Sequence, residues 1–373
     1  MVDAKTRTLK LQLSKKKDAA VVGLEIEAGS IAAAEVRTNG SAQLSGTAIA
    51  PLPPGAFHEG EVTEPGAVAE ALRSLFSDSG LSRQVRLGIA NQRVVVRTLR
   101  LPAIEDPKEL DMAVRSQAHE QIPMPIEQAV LDHRVVGGVP ATDGMAPQID
   151  VVVVAARRDM IEATLKPLKD AGLEPVGVDL SAFGLIRALG EPPSAAQADE
   201  ESPGALGSPA SATLYCNVGD VTNLAIARGR ACLFTRVSPT GLEGVASGLA
   251  ASTGLSEEHA RLWLSHVGLG GPLEAIEGDP GTVAQARAAL ETGASSVLDE
   301  VRLSLDFYGA QEAAVPVQRI VLGGPGGAIP GFAEWMEPVI GLPVLVGCPA
   351  ALAGMEPTAA ARLTLPYGLA LEG

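Results

Sequence analysis

The chain has few aromatic residues, few cysteines and fewer basic than acidic residues, and each shortage excludes a class of function. Aromatic residues make up 3% of the 373 residues, which leaves few rings to stack on bases or sugars. Three cysteines without CxxC spacing argue against a disulfide framework or a cysteine metal site. Lys and Arg number 29 against 44 Asp and Glu, and the net charge of -15 predicts that nucleic acid is not a partner.

Long apolar runs are also missing. The sequence has no run of about 18 or more apolar residues, and its N-terminus lacks the apolar core of a signal peptide. We therefore expect the chain to stay in the cytoplasm. The five histidines are scattered without paired ligand spacing, so a histidine metal centre is not expected.

The first residues of the chain are basic. Residues 1–18 contain two acids, Asp3 and Asp18, and the following basic residues: Lys5, Arg7, Lys10, Lys15, Lys16 and Lys17. This composition predicts a flexible basic tail. Two interpretations stay open, a solvated segment and an electrostatic contact with the inner face of a membrane.

Residues 19–190 alternate between strand and helix patterns. Apolar, β-branched runs predict a three-stranded meander, with a hairpin turn at Asn39-Gly40. A helix is predicted to end at Gly80. Within this half, residues of about 93–157 predict a strand, a helix and two strands, the size of a small inserted subdomain.

A second half follows a segment of different composition. Residues 191–211 are rich in Pro, Ser, Ala and acids and lack periodicity, which predicts a disordered linker. Residues 212–345 repeat the order of the first half, a meander followed by helices and further strands, and residues 346–373 form a C-terminal return segment. Such duplication resembles the organisation of the actin and sugar-kinase superfamily. We predict an α/β, actin-like fold of two ribonuclease H-like halves with an inserted strand-helix-strand-strand subdomain.

A more specific resemblance covers essentially the whole chain from Ala19. It rests on long ordered patterns, among them RLPAIEDPKELDMAVRSQAHEQIPMPIEQAVLDHRV from Arg100, AGLEPVGVDLSAFGLIRAL from Ala171, and LGGPGGAIPGF from Leu322. These resemble the PilM family, pilus relatives of the cell-division actin FtsA. The resemblance implies a scaffold of type IV pilus assembly at the inner face of the cytoplasmic membrane.

The same resemblance implies partners. A PilM-like scaffold binds the cytoplasmic N-terminal peptide of a PilN-like inner-membrane protein, contacts the membrane peripherally through that partner, and connects the envelope complex to the assembly motors. We expect the peptide in a groove between the inserted subdomain and the first half, within the region 94–157. Individual contacts are not predicted.

The first nucleotide-binding hairpin expected of the family is altered. The segment GLEIEAGSIAAAEV from Gly23 stands where PilM relatives carry GLDIG, serines and a lysine. Glu25 replaces the aspartate of the family pattern and could reach a metal only through water. Glu27 replaces the second glycine of that pattern, and Ala32 replaces its lysine. A carboxylate and a Cβ at position 27 oppose phosphate binding, although Gly29 and Ser30 are placed to rebuild part of the loop.

The other pieces of the expected nucleotide site are preserved to different degrees. The second hairpin keeps Gly219 and Thr222 but has Asn217 where an aspartate commonly faces magnesium. Asp179 is the acid nearest a candidate attacking water, or only a capping or solvated aspartate. The turn after a buried strand is the best preserved element, and it predicts either an adenosine pocket or only a turn; its glycines are Gly323, Gly324, Gly326 and Gly327.

Three functions follow from these patterns. The first is a scaffold whose cleft holds ATP and Mg²⁺ weakly or not at all. The second is an ATPase or sugar-kinase-like transferase, which needs a charged magnesium cluster that Glu25 and Asn217 do not supply, so turnover is expected to be slow or absent. The third is an FtsA-like filament-forming protein, for which the ending PYGLALEG offers no amphipathic membrane helix. Self-association is left open.

Overall fold

The computed structural model describes residues 20–39, 41–139, 147–190, 211–311 and 314–371. The predicted basic tail and all but the last residue of the predicted linker lie outside the described residues. Within the described ranges, no helix has both the length and the apolar character needed to cross a bilayer.

The first half is built on a five-stranded sheet with the order β10-β6-β1-β2-β3. Its strands are β1 (Ala20–Glu27), β2 (Ser30–Asn39), β3 (Ser41–Pro51), β6 (Gln84–Ile89) and β10 (Glu174–Leu180). The first three form the predicted antiparallel meander, and Asn39 pairs with Ser41 across the predicted turn. β6 lies parallel to both β1 and β10.

Two helices cover one face of this sheet, α1 (Pro65–Ser79) and α3 (Arg158–Asp170). Helix α1 ends, as predicted, at Gly80, which adopts the left-handed conformation that favours glycine. Between β3 and α1 lies a two-stranded ribbon, β4 (Phe57–His58) and β5 (Glu61–Val62).

The predicted strand-helix-strand-strand unit is present. It comprises β7 (Val95–Pro102), α2 (Pro107–Gln121), β8 (Ala129–Val139) and β9 (Gln148–Arg157), with a 3-10 turn at Ile126–Gln128 and the strand order β7-β9-β8. Asp106 caps α2, because its carboxylate accepts hydrogen bonds from the backbone N–H groups of Lys108 and Glu109. Helix α2 covers one face of the small sheet and leaves the other face toward the first half.

The second half has a sheet of the same design, ordered β13-β12-β11-β14-β15. Its strands are β11 (Ala212–Val218), β12 (Thr222–Arg228), β13 (Ala231–Ser238), β14 (Val317–Gly323) and β15 (Val344–Val346). Its helices are α5 (Leu242–Thr253), α6 (Glu257–Val267), α7 (Pro280–Gly309), α8 (Gly324–Gly327) and α9 (Phe332–Ile340), with 3-10 turns at Leu273–Ala275 and Ala350–Leu352. The large apolar core lies between this sheet and α5, α6 and α7.

Two helices lie at the centre of the molecule, α4 (Ser181–Leu189) and α10 (Pro357–Ala370). Helix α4 contacts β11 and β12 of the second half, and α10 returns to contact α4, β1 and β2. The sequence predicted only a return segment here, because Pro366 and Gly368 interrupt the helical pattern. The exact boundaries of the predicted domains stay a prediction.

Candidate functional site

The two sheet hairpins that open the two halves meet in a cleft. The turn between β1 and β2 places Glu27 and Ala28 beside Gly219 and Asp220, which lie in the turn between β11 and β12. The carboxylate of Glu27 lies over Gly219, and the nearby backbone N–H of Asp220 opposes the rise in its pKa. The backbone N–H of Ala28 acts in the same way on the pKa of Asp220, whose Oδ2 is buried without a hydrogen-bond partner among the described residues. Each hairpin therefore places a carboxyl group beside the backbone of the other.

Acidic side chains crowd this cleft, and their pKa values are raised. Burial, followed by the neighbouring charge of Glu27, raises the pKa of Glu25 well above its usual value, against the opposing charge of Arg362. Burial also raises the pKa of Glu27. Burial, together with the charges of Glu27 and Glu243, raises the pKa of Asp220 to about 7. These acids retain protons at a pH where exposed carboxyl groups are ionised.

Two arginines compensate part of this charge, and both come from elements distant in sequence. Arg261 on α6 donates to Glu243 over 2.7 Å and pairs with Glu257. Its guanidinium lies against Gly29, whose φ of +80° and close neighbour leave no room for a side chain. Arg362 on α10 donates a hydrogen bond to Ser30. The predicted loop residues Gly29 and Ser30 therefore contact arginines of this chain.

The predicted residues of the second hairpin lie at the cleft, but they are used in different ways. Gly219 is covered by the Glu27 carboxylate. The hydroxyl of the fully buried Thr222 donates to the carbonyl of Thr240 over 2.7 Å and so holds the chain after β13. Asn217 is 4% exposed, and its Oδ1 has no hydrogen-bond partner among the described residues.

The glycine-rich turn follows β14 and forms the short helix α8. Gly324 and Gly326 pack against Asn217 and Val218, where a Cβ would come within 2.6 Å of these side chains. Gly323 borders Leu185 and Leu189 of α4, and Gly327 lies near the carbonyl of Leu322. Close packing of α8 on β11 thus accounts for these glycines without a bound adenosine.

Two further predicted residues lie away from the cleft cavities. Gly23 is in β1 beneath α10, where a Cβ would overlap the backbone carbonyl of Pro366, so its role here is to seat that helix. Asp179 pairs with Arg187 over 2.5 Å and accepts from the backbone N–H of Leu180. Its side chain borders a groove on another side of the molecule. The geometry does not bring Asp179 to the position of a catalytic base beside Glu25.

The cleft is small as well as charged. Its two cavities measure about 30 and 50 Å³ and are lined by Glu25, Glu27 and Asp220, with Arg261 and Arg362 at the second. Small-molecule sites typically measure about 300–1,000 Å³. In the described part of the chain, no three His, Cys, Asp or Glu side chains are placed to hold a metal ion. The cavities between the two hairpins are therefore too small to hold ATP in this arrangement.

A larger groove lies between the inserted subdomain and both halves. Two cavities of about 410 and 290 Å³ share Arg134, Val152, Phe183 and Arg187 and so form one continuous groove, here called the Phe183 groove. One wall is the free face of β8 and β9, and the other is α4 and β10 together with residues 230–232 at the start of β13 in the second half. The sequence located the region but not Phe183 or Arg187, since α4 showed only an apolar helical pattern.

A third cavity of about 380 Å³ lies between β7 and β13, the neighbouring edge strands of two different sheets. Its lining is polar and includes Arg97, Asn223 and the ion pair of Arg236 with Glu300. It lies where the inserted subdomain meets both halves, because Ile89, Leu180 and Ala182 of the first half also line it.

Comparison with known proteins gives a family and a fold. The model of a family described as type IV pilus assembly protein PilM matches residues 23–364. A solved structure described as the PilM-PilN type IV pilus biogenesis complex contains a chain that is 26% identical, with a TM-score of 0.74 over 95% of this chain and 98% of that one.

More distant structures show the fold alone. The ethanolamine utilization protein EutJ of Carboxydothermus hydrogenoformans is 15% identical, with a TM-score of 0.52 over 96% of this chain and 91% of that one. MreB5 of Spiroplasma citri bound to ADP is 11% identical, with a TM-score of 0.50 over 94% of each chain. The predicted actin-like fold is confirmed.

Proposed function

The chain belongs to the type IV pilus assembly protein PilM family, and from this membership we propose that it is a cytoplasmic scaffold that binds the N-terminal cytoplasmic peptide of a PilN-like inner-membrane protein. The observation that carries the proposal is the similarity to the chain of the PilM-PilN complex over nearly the full length of both chains. The partner then holds the scaffold at the inner face of the cytoplasmic membrane, where it contacts the assembly motors.

The Phe183 groove is the proposed peptide site. Its larger cavity is mostly apolar, with Val135, Val136, Val152, Phe183 and Ile186 in its walls. Val135 and Val136 are 45% and 41% exposed, so a peptide side chain that covers them removes apolar surface from water. Apolar pockets of this size suit the anchor residues of a short peptide.

The edge of the small sheet supplies backbone groups for the same site. Strand β8 pairs only with β9, so its outer edge has no strand partner among the described residues. A peptide in extended conformation can hydrogen-bond to such an edge while its alternate side chains enter pockets. Apolar pockets and an open edge together support an extended peptide ligand.

The cleft does not take part in this function as an ATPase site. The Glu27 carboxylate of the first half lies over Gly219 of the second half, and Arg261 pairs with Glu243 within the second half, which fits a platform whose halves keep a fixed orientation. We propose weak or absent ATP turnover.

The test is binding of a fluorescently labelled N-terminal peptide from the PilN-like protein of the same organism, measured by anisotropy with and without Mg-ATP. We expect saturable binding that Mg-ATP does not change. Phe183→Ala should weaken it at least about fivefold, because truncating an aromatic anchor that the peptide buries costs more than about 1 kcal/mol. Phe307→Ala is the matched control, since Phe307 is 62% exposed on α7, away from the groove.

Three results would count against the proposal. Absence of saturable binding to the wild-type chain would exclude the scaffold function. Equal losses in Phe183→Ala and Phe307→Ala would exclude the groove as the site. A loss in Arg97→Ala, without one in Phe183→Ala, would move the peptide to the cavity between β7 and β13.

A further inference from the structure

The reciprocal contacts between the two hairpins resemble the way such hairpins hold an anion. Backbone N–H groups in tight turns form concave donors that bind phosphate or carboxylate oxygens. Here the Glu27 carboxylate lies over Gly219, beside the N–H of Asp220, and the carboxyl group of Asp220 lies near the N–H of Ala28. Carboxyl groups that the chain itself provides therefore occupy the space next to the donors of both turns.

The position of Glu27 is fixed by its surroundings. Its Oε1 lies over Gly219, where a Cβ would overlap it. Glu27 is the residue that directly precedes the turn of the first hairpin, and it pairs with Ser30 across that turn. A phosphate that approached either hairpin would have to displace this carboxylate first.

We propose that Glu27 and Asp220 take the places of nucleotide phosphate oxygens, so that the cleft closes on itself and excludes nucleoside triphosphates. This inference concerns the cleft alone and does not depend on peptide binding at the Phe183 groove. It makes Glu27 the residue that decides whether this actin-like cleft binds a nucleotide.

Charge strengthens the exclusion. The cleft holds the carboxyl groups of Glu25, Glu27, Asp220 and Glu243. Arg261 is engaged by Glu243 and Glu257, and Arg362 by Ser30. An entering triphosphate would bring further negative charge to these acids and would compete with Glu243 for Arg261.

The chain offers a graded series of variants at position 27. Glu27→Gln keeps the length and the acceptor oxygen of the side chain, so it should continue to cover Gly219. Glu27→Ala removes the carboxylate but keeps the Cβ. Glu27→Gly also frees the backbone to approach a phosphate.

The experiment is isothermal titration of Mg-ATP into the full chain and each variant, after thermal melts show that each variant is folded. We expect no saturable binding to the wild type or Glu27→Gln up to about 1 mM. Glu27→Gly should gain saturable binding at least tenfold tighter than that limit, and Glu27→Ala a smaller gain. Inorganic phosphate serves as a second probe for the hairpin donors alone.

Two outcomes would overturn the inference. Saturable binding of Mg-ATP to the wild-type chain would show that the carboxylates do not exclude nucleotide. A folded Glu27→Ala or Glu27→Gly variant without any gain would show that Glu27 is not the deciding residue. The wild-type measurement decides the first point even if Glu27→Gly does not fold.

Discussion

The cleft and the Phe183 groove both lie between packed units, but they leave different groups free. In the cleft, the Glu27 carboxylate covers Gly219, the guanidinium of Arg261 is bonded within the chain, and the cavities measure about 30 and 50 Å³. In the groove, cavities of about 410 and 290 Å³ border an unpaired strand edge and exposed valines. In the cleft, charged side chains pair within the chain and leave little room for a ligand. In the Phe183 groove, apolar surface stays uncovered and is available to a partner.

The variant with the largest expected effect should disrupt the cleft and the Phe183 groove together. Gly23→Ala would place a Cβ against the backbone carbonyl of Pro366 and push α10 away from β1. Because α10 carries Arg362 into the cleft and also contacts α4 beside the groove, we expect a loss of about 3 kcal/mol in the free energy of unfolding. Denaturant unfolding followed by circular dichroism measures it.

A glycine in open space provides the control for this change. Gly66 lies at the start of α1, and a Cβ there has no neighbour within 4 Å. Gly66→Ala should leave stability unchanged or raise it by up to about 1 kcal/mol. An equal loss in both variants would show that packing beneath α10 is not the cause.

A variant with a smaller expected effect should change the cleft and leave the Phe183 groove unchanged. Arg261→Ala leaves Glu243, whose side chain is 14% exposed, without its main partner, and we expect a loss of about 2 kcal/mol in the free energy of unfolding. Peptide affinity at the groove should stay the same.

Arg73→Ala is the control for this change. It removes an exposed pair with Glu70 and should lower the free energy of unfolding by less than about 1 kcal/mol. If Arg261→Ala also abolishes peptide binding, the two regions are coupled.

A separate effect is a pH dependence that belongs to the cleft. The pKa of Asp220, at about 7, lies above its usual value, so the folded state binds this proton more tightly than the unfolded state does. The stabilisation is complete below the usual aspartate pKa and is lost as the pH rises toward 7, at no more than about 1.4 kcal/mol per pH unit. Glu27 and Glu243 raise this pKa, whereas the N–H of Ala28 and His58 lower it.

Asp220→Asn should flatten this slope, because the amide oxygen still lies near the N–H of Ala28 but does not titrate in this range. The measurement is the denaturation midpoint between about pH 4 and 7 for both chains. Peptide affinity should not follow the same curve. An unchanged slope in the variant would assign the pH dependence to Glu25 or Glu27 instead.

The local elements were predictable from the sequence. The Asn39-Gly40 pair predicted a hairpin turn and Gly80 predicted a helix end, both from neighbouring residues, and in the structure Asn39 pairs with Ser41 and α1 ends at Gly80. Helix α10 was not predicted, because Pro366 and Gly368 lower the local helix preference that packing on β1 and α4 overrides.

The site depended more on tertiary packing. The substitution at Glu27 could be noticed in the sequence, and Asp220 follows Gly219 directly, yet nothing local indicates that each carboxyl group lies beside the backbone of the opposite hairpin. Arg261 and Arg362 come from helices far along the chain. Gly23 and Asp179, named from the family pattern, lie away from the cleft cavities in the folded chain.

The return of α10 onto β1 has a consequence for the order in which the protein is made. Strand β1 leaves the ribosome long before α10 does. The face of β1 that Gly23 leaves bare stays uncovered until α10 has been synthesised. Domains generally fold in the order of their synthesis, but here the earlier half must wait for the later one, and any truncation before Pro357 would leave its first strand without its cover.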